Sequence, residues 1–282
     1  MSLIQAIILG IIQGLTEFIP ISSTAHLTIA GKMMGLISPQ NPEQWTAFMA
    51  VIQLGTLAAV FVYFWNDVVQ ITRAFFDENL RNRRPLREQS LDSRLGWLIL
   101  VGSVPIGVIG IALKKIIEGN LTKDLYVISG SLIVLAILLY IAERVASFKK
   151  ELGNITFWDA LVIGIAQSIA LIPGSSRSGT TITAGLFMGL TRETAARFSF
   201  LLSIPAILSS GMLELVKSLP VINSGDALNL TVSTIASAIF GYLSIAYLIR
   251  FLRTHTTLQF IIYRIALGIL LIILVNSGVV SK

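Results

Sequence analysis

Three charged residues stand inside otherwise apolar stretches of this sequence and are the first candidates for chemistry. Glu17 is the only acidic residue before position 43, and Arg177 is the only charged residue between positions 159 and 192. Arg264 stands alone in the last apolar stretch. At the centre of a membrane such a charge costs about 2.5–3.5 kcal/mol, so each of the three needs a partner or a function.

The first motif is GIIQGLTEF, residues 10–18. Gln13 and Glu17 are four residues apart, so on a helix both side chains project from one face. Glu17 could act as a general base, bind a metal ion, or serve as the counter-ion of Arg177, and these three roles stay open at this point.

The second motif, IPISSTAH, breaks the apolar run that contains Glu17. Ser22 is a predicted helix N-cap, after which Ser23 and His26 share a face at i, i+3. A hydroxyl beside an imidazole is a pairing used in nucleophilic and acid–base catalysis. The structural alternative is that Ser22 and Thr24 only cap a helix, while His26 forms a hydrogen bond in a packed interior.

The third motif, PGSSRSGTT, spans residues 173–181. Its small residues and hydroxyls precede a predicted helix, whose N-terminal N–H groups can bind an anion. The planar guanidinium of Arg177 suits bidentate contact with phosphate. The structural alternative is a tight helix-packing site in which Arg177 neutralises Glu17.

An acid, a histidine, several hydroxyls and an arginine together suit hydrolysis of a phosphoanhydride. The predicted catalytic residues are Glu17, Ser23, His26 and Arg177. The predicted substrate-binding residues are Gln13, Ser22, Thr24, Gly174, Ser175, Ser176, Ser178, Gly179 and Thr180.

The elements that must position these residues belong in a bilayer. Of the 282 residues, 54% are hydrophobic and 13% are charged, about half the charged fraction of a soluble domain. The net charge of +6 comes from basic residues in short loops between apolar runs, so nucleic acid is not an expected partner. Six stretches have the length of a transmembrane helix, at 47–66, 95–113, 124–142, 198–217, 228–249 and 258–278.

The two regions that carry the motifs, 3–35 and 158–190, are interrupted by Pro, Ser and Gly. Lipid cannot satisfy a broken backbone, so we expect two re-entrant helix–loop–helix hairpins whose loops lie inside the protein; two full spans apiece is the alternative. The two regions also resemble each other, which predicts one integral membrane domain, 1–282, built from inverted repeats at about 1–145 and 155–282. The predicted fold class is therefore an all-α polytopic membrane protein.

Lys and Arg predict the orientation of the chain. One side of the predicted topology carries thirteen of them, and the other carries six, including Lys282. With the richer side in the cytoplasm, both termini face outward. We therefore expect a bacterial inner-membrane location, with the site opening toward the periplasm or exterior.

The motifs QGLTEFIPISSTAH and PGSSRSG resemble the two signatures of the undecaprenyl-diphosphatase (bacitracin-resistance) family, and the similarity covers nearly the whole chain. Gln13 and Glu17 match the family's E/Q-x-x-x-E pattern, Ser23 and His26 match its Ser/His element, and Arg177 matches its arginine. The resemblance implies hydrolysis of undecaprenyl diphosphate to the monophosphate, recycling of the carrier lipid for peptidoglycan synthesis, and bacitracin resistance. It also suggests a divalent cation, Mg²⁺ or Ca²⁺, with Glu17 as a candidate ligand.

The sequence is also compatible with other functions. A lipid flippase or anion transporter could use the same midplane site, because inverted repeats with broken helices are typical of transporters. Whether Ser23 or an activated water attacks phosphorus is undecided. The expected partners are an isoprenoid lipid diphosphate and membrane lipids, and a homodimer is left open.

Overall fold

The structure, a computed structural model, describes residues 1–38, 40–219 and 224–280, and these residues form helices and no strand. Lys282, which entered the charge count above, lies outside the described residues. The helices up to residue 145 are α1 (Leu3–Phe18), α2 (Ser23–Met33), α3 (Pro42–Tyr63), α4 (Trp65–Phe76), α5 (Leu91–Ala112), α6 (Lys114–Glu118) and α7 (Leu125–Val145). Those that follow are α8 (Phe157–Ile169), α9 (Arg177–Phe187), α10 (Arg192–Ser218), α11 (Ser224–Leu252) and α12 (Leu258–Asn276).

Six helices, α3, α5, α7, α10, α11 and α12, are long and apolar enough to cross a membrane. The predicted number of spans among the described residues is therefore confirmed. Four of these helices begin four to six residues earlier than predicted, because their first turns are polar. The caps Ser90 and Thr191, for example, accept hydrogen bonds from Ser93 N and Thr194 N.

The first span also ends earlier than predicted. α3 stops at Tyr63, and the chain turns at Phe64 into α4, a helix that was not predicted from the sequence. α4 buries only Ile71. Its apolar residues are spread among charged ones in the sequence, so they do not form a continuous run.

Both regions interrupted by Pro, Ser and Gly form two short helices with a break between them. α1 and α2 have 16 and 11 residues, and α8 and α9 have 13 and 11. A membrane-spanning helix needs about 20 residues, so these lengths disfavour the reading of two full spans in each region. The breaks contain Pro20 and Pro173, which cannot continue a helix without losing a backbone hydrogen bond.

The short helices are fastened to the spans by packing and by serine hydroxyls. α1 packs on α11, while α8 packs on α5 and α9 on α7 and α10. From α11, Ser233 Oγ donates to Ala6 O at 2.8 Å and Ser244 Oγ donates to Leu15 O at 3.1 Å. Such bonds between helices supply rigidity where lipid offers no hydrophobic driving force. α1 is thereby fixed against α11, and Ser22 and Ser176, which end the two breaks, are buried.

Ion pairs lie near both ends of α10. Where α10 begins, three ion pairs join neighbouring elements: Arg192–Glu143, Arg197–Asp67 and Arg253–Glu193. Near the other end of α10, Lys217 lies 3.4 Å from Glu118. The arginine pairs at one end and the lysine pair at the other follow the division of loops that the sequence predicted.

Candidate active site

The last two turns of α1 place an amide and a carboxylate on its buried face. Gln13 and Glu17 are 0% and 6% exposed, and Gln13 Nε2 donates a hydrogen bond of 2.8 Å to Glu17 Oε2. The prediction that they share one helix face is confirmed. Because α1 ends at Phe18, the carboxylate of Glu17 lies beside the first break.

The first break ends at Ser22, whose φ is 76°. The Ser22 side chain accepts a hydrogen bond from Ala25 N at 3.3 Å, as expected of an N-cap. A non-glycine residue with this backbone stores about 1–3 kcal/mol of strain, which the surrounding structure must support. The next residue, Ser23, begins α2, and its Oγ donates to Glu17 Oε2 at 2.6 Å. The Ser23 hydroxyl is therefore paired with a carboxylate that can accept its proton.

The second break ends in the same way. Ser176 has a φ of 69°, and its Oγ accepts a hydrogen bond from Gly179 N at 3.1 Å. Arg177 begins α9, just as Ser23 begins α2. Two helix N-termini with strained serine caps thus carry the two side chains best suited to attack and to anion binding.

The two breaks meet around Glu17. Arg177 Nη2 lies 3.8 Å from Glu17 Oε1 and donates to Gln53 Oε1 of α3 at 3.0 Å. Ser178 Oγ, beside Ser176, donates to Glu17 O at 3.2 Å. The structure therefore brings the first and third motifs into contact, although about 160 residues separate them.

Three buried polar atoms at this junction have no hydrogen-bond partner among the described residues: Gln13 Oε1, Ser175 Oγ and Arg177 Nη1. Buried polar groups are normally paired, so unpaired ones need an explanation. The two donors, Ser175 Oγ and Arg177 Nη1, are groups that an anionic ligand can satisfy. A small cavity at this junction is lined by Glu17, Arg177 and Ser178, by Phe18 and Phe200, and by Ser199 and Ser203 of α10.

His26 does not make the contact with Ser23 that the sequence predicted. Its Nδ1 lies 2.7 Å from Ser22 O, and its Nε2 lies 2.6 Å from the hydroxyl of Tyr263 on α12. Because a carbonyl can only accept, Nδ1 carries the proton in the neutral ring and Tyr263 donates to Nε2. The expected Ser23–His26 pair is not formed, since Ser23 turns inward to Glu17.

The other predicted binding residues have varied positions. Thr24 is half-buried next to Ser23, and Gly174, with a φ of 86°, forms the turn of the second break. The hydroxyl of Thr180 donates to Arg177 O at 2.9 Å within α9. Gly179 lies on the inner side of α9, against Arg264.

Two site residues were missed in the sequence. Gln53 is the only amide in the apolar run 47–64, and that isolation could have identified it. Tyr263 has no comparable signal, because a tyrosine in a transmembrane helix is common near the interface.

A divalent cation fits this junction only together with a phosphate ligand. Within the described residues, no three His, Cys, Asp or Glu side chains are grouped so that they could hold a metal ion. The Glu17 carboxylate and the unpaired Gln13 Oε1 are nevertheless oxygen ligands of the kind that Mg²⁺ and Ca²⁺ prefer. Mg²⁺ is usually held by one or two carboxylates plus substrate phosphates.

Comparison with known proteins identifies one family and several similar relatives. The profile of the family described as bacitracin resistance protein BacA matches residues 6–270. A relative from Syntrophobacter fumaroxidans, named undecaprenyl-diphosphatase, is 59% identical over 95% of this chain and 95% of its own. Relatives with the same name from Chloroherpeton thalassium and Myxococcus xanthus are 52% and 51% identical, covering 99% and 100% of this chain and 98% and 92% of theirs.

Proposed function

The chain belongs to the bacitracin resistance protein BacA family, and we propose that it hydrolyses undecaprenyl diphosphate to undecaprenyl phosphate and inorganic phosphate. This activity recycles the carrier lipid for peptidoglycan synthesis and confers bacitracin resistance. The observation that carries the proposal is the hydrogen bond of 2.6 Å from Ser23 Oγ to Glu17 Oε2, formed beside the guanidinium of Arg177. A nucleophile, its base and an anion-binding group thus lie within one junction.

In the proposed reaction, Glu17 takes the proton of Ser23 as the serine oxygen attacks the terminal phosphorus. The new O–P bond replaces the bond to the bridging oxygen, which leaves with its electron pair on undecaprenyl phosphate. Water then displaces the serine oxygen from phosphorus, the serine regains a proton, and inorganic phosphate is released. The short Ser23–Glu17 hydrogen bond favours serine over a directly activated water as the nucleophile.

The diphosphate is held by side-chain and backbone donors. Within the described part of the chain, Arg177 Nη1 and Ser175 Oγ have no hydrogen-bond partner, so both can donate to phosphate oxygens. The N-termini of α2 and α9 add N–H groups and the positive ends of two helix dipoles. Phosphoryl transfer depends mainly on such positioning and charge stabilisation. A divalent cation held by Glu17 and Gln13 would add neutralisation of the phosphate charge.

We propose that His26 assists proton transfer together with a residue of α12. With Nδ1–H fixed on Ser22 O and Nε2 accepting from Tyr263, the ring has one orientation and one tautomer. Ligand contact with the half-exposed Tyr263 hydroxyl would alter the hydrogen bond at Nε2. His26 and Tyr263 therefore form a proton relay at the edge of the site.

Lipid flipping or anion transport, the other function considered from the sequence, has no comparable support. Transport needs an anion site but no base bonded to a nucleophilic hydroxyl, and the relatives are named as diphosphatases.

We further propose that the two broken regions are re-entrant hairpins of an inverted repeat, with halves near 1–145 and 155–282. The matching serine caps and short helix lengths support this arrangement. The site is proposed to open to the outer face of the bacterial inner membrane, with the arginine-rich end in the cytoplasm.

Cysteine labelling tests this orientation, because the native chain has no cysteine. In intact cells, a cysteine replacing Asn82 should resist an impermeant thiol reagent, and one replacing Asn120 should react. Both positions are exposed, so the reverse pattern would overturn the proposed orientation.

Phosphate release by detergent-purified protein given undecaprenyl diphosphate tests the function itself. Wild type should release phosphate, and Ser23→Ala should fall to background, whereas Ser22→Ala and Thr24→Ala should lose only capping or binding strength. Rapid quench with substrate labelled in the terminal phosphate should trap phosphoserine. Inactive wild type refutes the function, and substantial turnover by Ser23→Ala eliminates the covalent route.

A further inference from the structure

Arg264 is a buried cation that the proposed reaction does not use. It lies on α12, is 0% exposed, and is the largest fully buried side chain among the described residues. None of the ion pairs found within the described residues includes it. An arginine stays charged in proteins and is rarely retained at membrane depth without a function.

The guanidinium of Arg264 binds backbone carbonyls from both breaks at once. Its Nη1 donates to Pro20 O at 3.3 Å in the first break. Its Nη2 donates to Gly174 O at 3.3 Å and to Ser175 O at 2.9 Å in the second break. Its Nε donates to Leu132 O of α7 at 3.3 Å. One rigid, planar group therefore ties together two loops that are far apart in sequence.

The second break and the start of α9 leave room for this guanidinium. A Cβ added to Gly179 would lie 2.5 Å from Arg264 Nη1, so only glycine leaves room for the side chain at this point in α9. On the other side of the loop, Ser131 Oγ of α7 donates to Pro173 O. The loop is thus held between α7 and α12, with its carbonyls directed at Arg264.

We propose that Arg264 is the positioning residue of the site, clamping the two breaks so that Ser23 and Arg177 face a common phosphate. The clamp acts through backbone: it fixes the residues just before Ser22 and Ser176, whose strained caps aim the first residues of α2 and α9. This inference deepens the proposed function and rests on it. A displacement of about 1 Å between reacting groups can cost about 10²-fold in rate.

Arginine is required because of its geometry as well as its charge. A lysine ammonium has three donors on one atom, so it cannot reach four carbonyls spread around a planar fork. Arg264→Lys keeps the charge and breaks the clamp, which separates the two contributions. Arg253→Met, at an exposed ion pair with Glu193, is the matched control for loss of an arginine.

The test combines kinetics with hydrogen–deuterium exchange on the detergent-purified full chain without substrate. In Arg264→Lys, we expect kcat to fall about 10²-fold while KM changes less than about threefold. Exchange should rise together in segments 19–26 and 170–179, whose amides include the bonded Ile21, Ala25 and Gly179. Exchange within 133–142 of α7 should stay unchanged, as should all these values in Arg253→Met.

Gly179→Ala keeps Arg264 but displaces its guanidinium, so it should reproduce the kinetic and exchange changes. This variant replaces Arg264→Lys in the test if the lysine variant does not fold. Wild-type kcat in Arg264→Lys, or increased exchange in only one break, overturns the clamp. Exchange that rises throughout the protein also overturns it, because that result indicates general destabilisation. Exchange decides the clamp even if wild type releases no phosphate, so this failure is distinct from failure of the proposed function.

Discussion

Replacement of Glu17 by glutamine removes the proposed base while preserving the shape of the side chain. In the wild type, Glu17 Oε2 receives Ser23 Oγ at 2.6 Å and Gln13 Nε2 at 2.8 Å. An amide can still accept the serine hydrogen bond through its oxygen, but it cannot take the serine proton. Glu17→Gln therefore changes proton acceptance more than it changes packing.

The expected size of the effect follows from these contacts. General-base catalysis contributes about 10²–10⁴-fold, which corresponds to about 2.7–5.4 kcal/mol of activation free energy at about 1.36 kcal/mol per tenfold change. We expect kcat to fall by this factor. KM should change less than about threefold, because Arg177 and the helix N-termini still bind the diphosphate. Each hydrogen bond that loses its charged acceptor should weaken folding by about 1 kcal/mol, so the variant should remain folded.

The assay is phosphate release from purified variants with undecaprenyl diphosphate, together with thermal unfolding in the same detergent. Glu88→Gln, at an exposed carboxylate in a short 3-10 helix, serves as the control and should match wild type. Glu17→Asp keeps a carboxylate on a shorter side chain and should fall between wild type and Glu17→Gln. A folded Glu17→Gln enzyme with more than about a tenth of wild-type kcat would refute the base role. In that case the remaining roles of Glu17 are as the counter-ion of Arg177 or as a ligand of a divalent cation.

Three further predictions address other parts of the molecule. Arg177→Lys should lose at least about 10²-fold in kcat/KM, because a compact ammonium cannot reproduce the planar, bidentate contact of a guanidinium with phosphate; near-normal turnover would reduce Arg177 to a structural role. Tyr263→Phe should shift the pH–rate profile, since His26 Nε2 loses its donor, and an unchanged profile would exclude the proposed relay. Burial lowers the pKa of Lys123 from 10.5 to about 8, so the unfolded chain binds more protons between these values and the free energy of unfolding should rise with pH across that window. Thermal unfolding should therefore show the melting temperature of Lys123→Met falling increasingly below that of wild type from pH 8 to 10, and a constant difference would contradict this pKa.

The overall architecture could be predicted because its signals are local. A span is a run of about 20 apolar residues, and the six candidate runs became six helices. The bounds were less accurate, since polar caps such as Ser90 and Thr191 belong to a helix without contributing to its hydropathy. α4 was missed for the related reason that its apolar residues are interrupted by charges. The helix–break–helix pattern followed from Pro20 and Pro173, because proline acts on the backbone in its immediate vicinity.

Within the site, the sequence alone determined the features that depend on helix periodicity and on local capping. Gln13 and Glu17 share a face because they are four residues apart, and Ser22 caps α2 because a serine before a helix commonly does. Isolated charges marked Glu17, Arg177 and Arg264 as residues in need of a partner. These conclusions require only the chain near each residue.

The tertiary structure decided which partner each side chain has. The spacing predicted that Ser23 faces His26, whereas in the structure the first break, with the positive φ of Ser22, brings Ser23 to Glu17. Tyr263 takes the place beside His26, and Gln53 lies beside Arg177, through contacts across 237 and 124 residues. Alternative rotamers of such side chains differ little in intrinsic energy, so distant packing selects among them. The pairing of nucleophile and base is therefore a property of the assembled bundle.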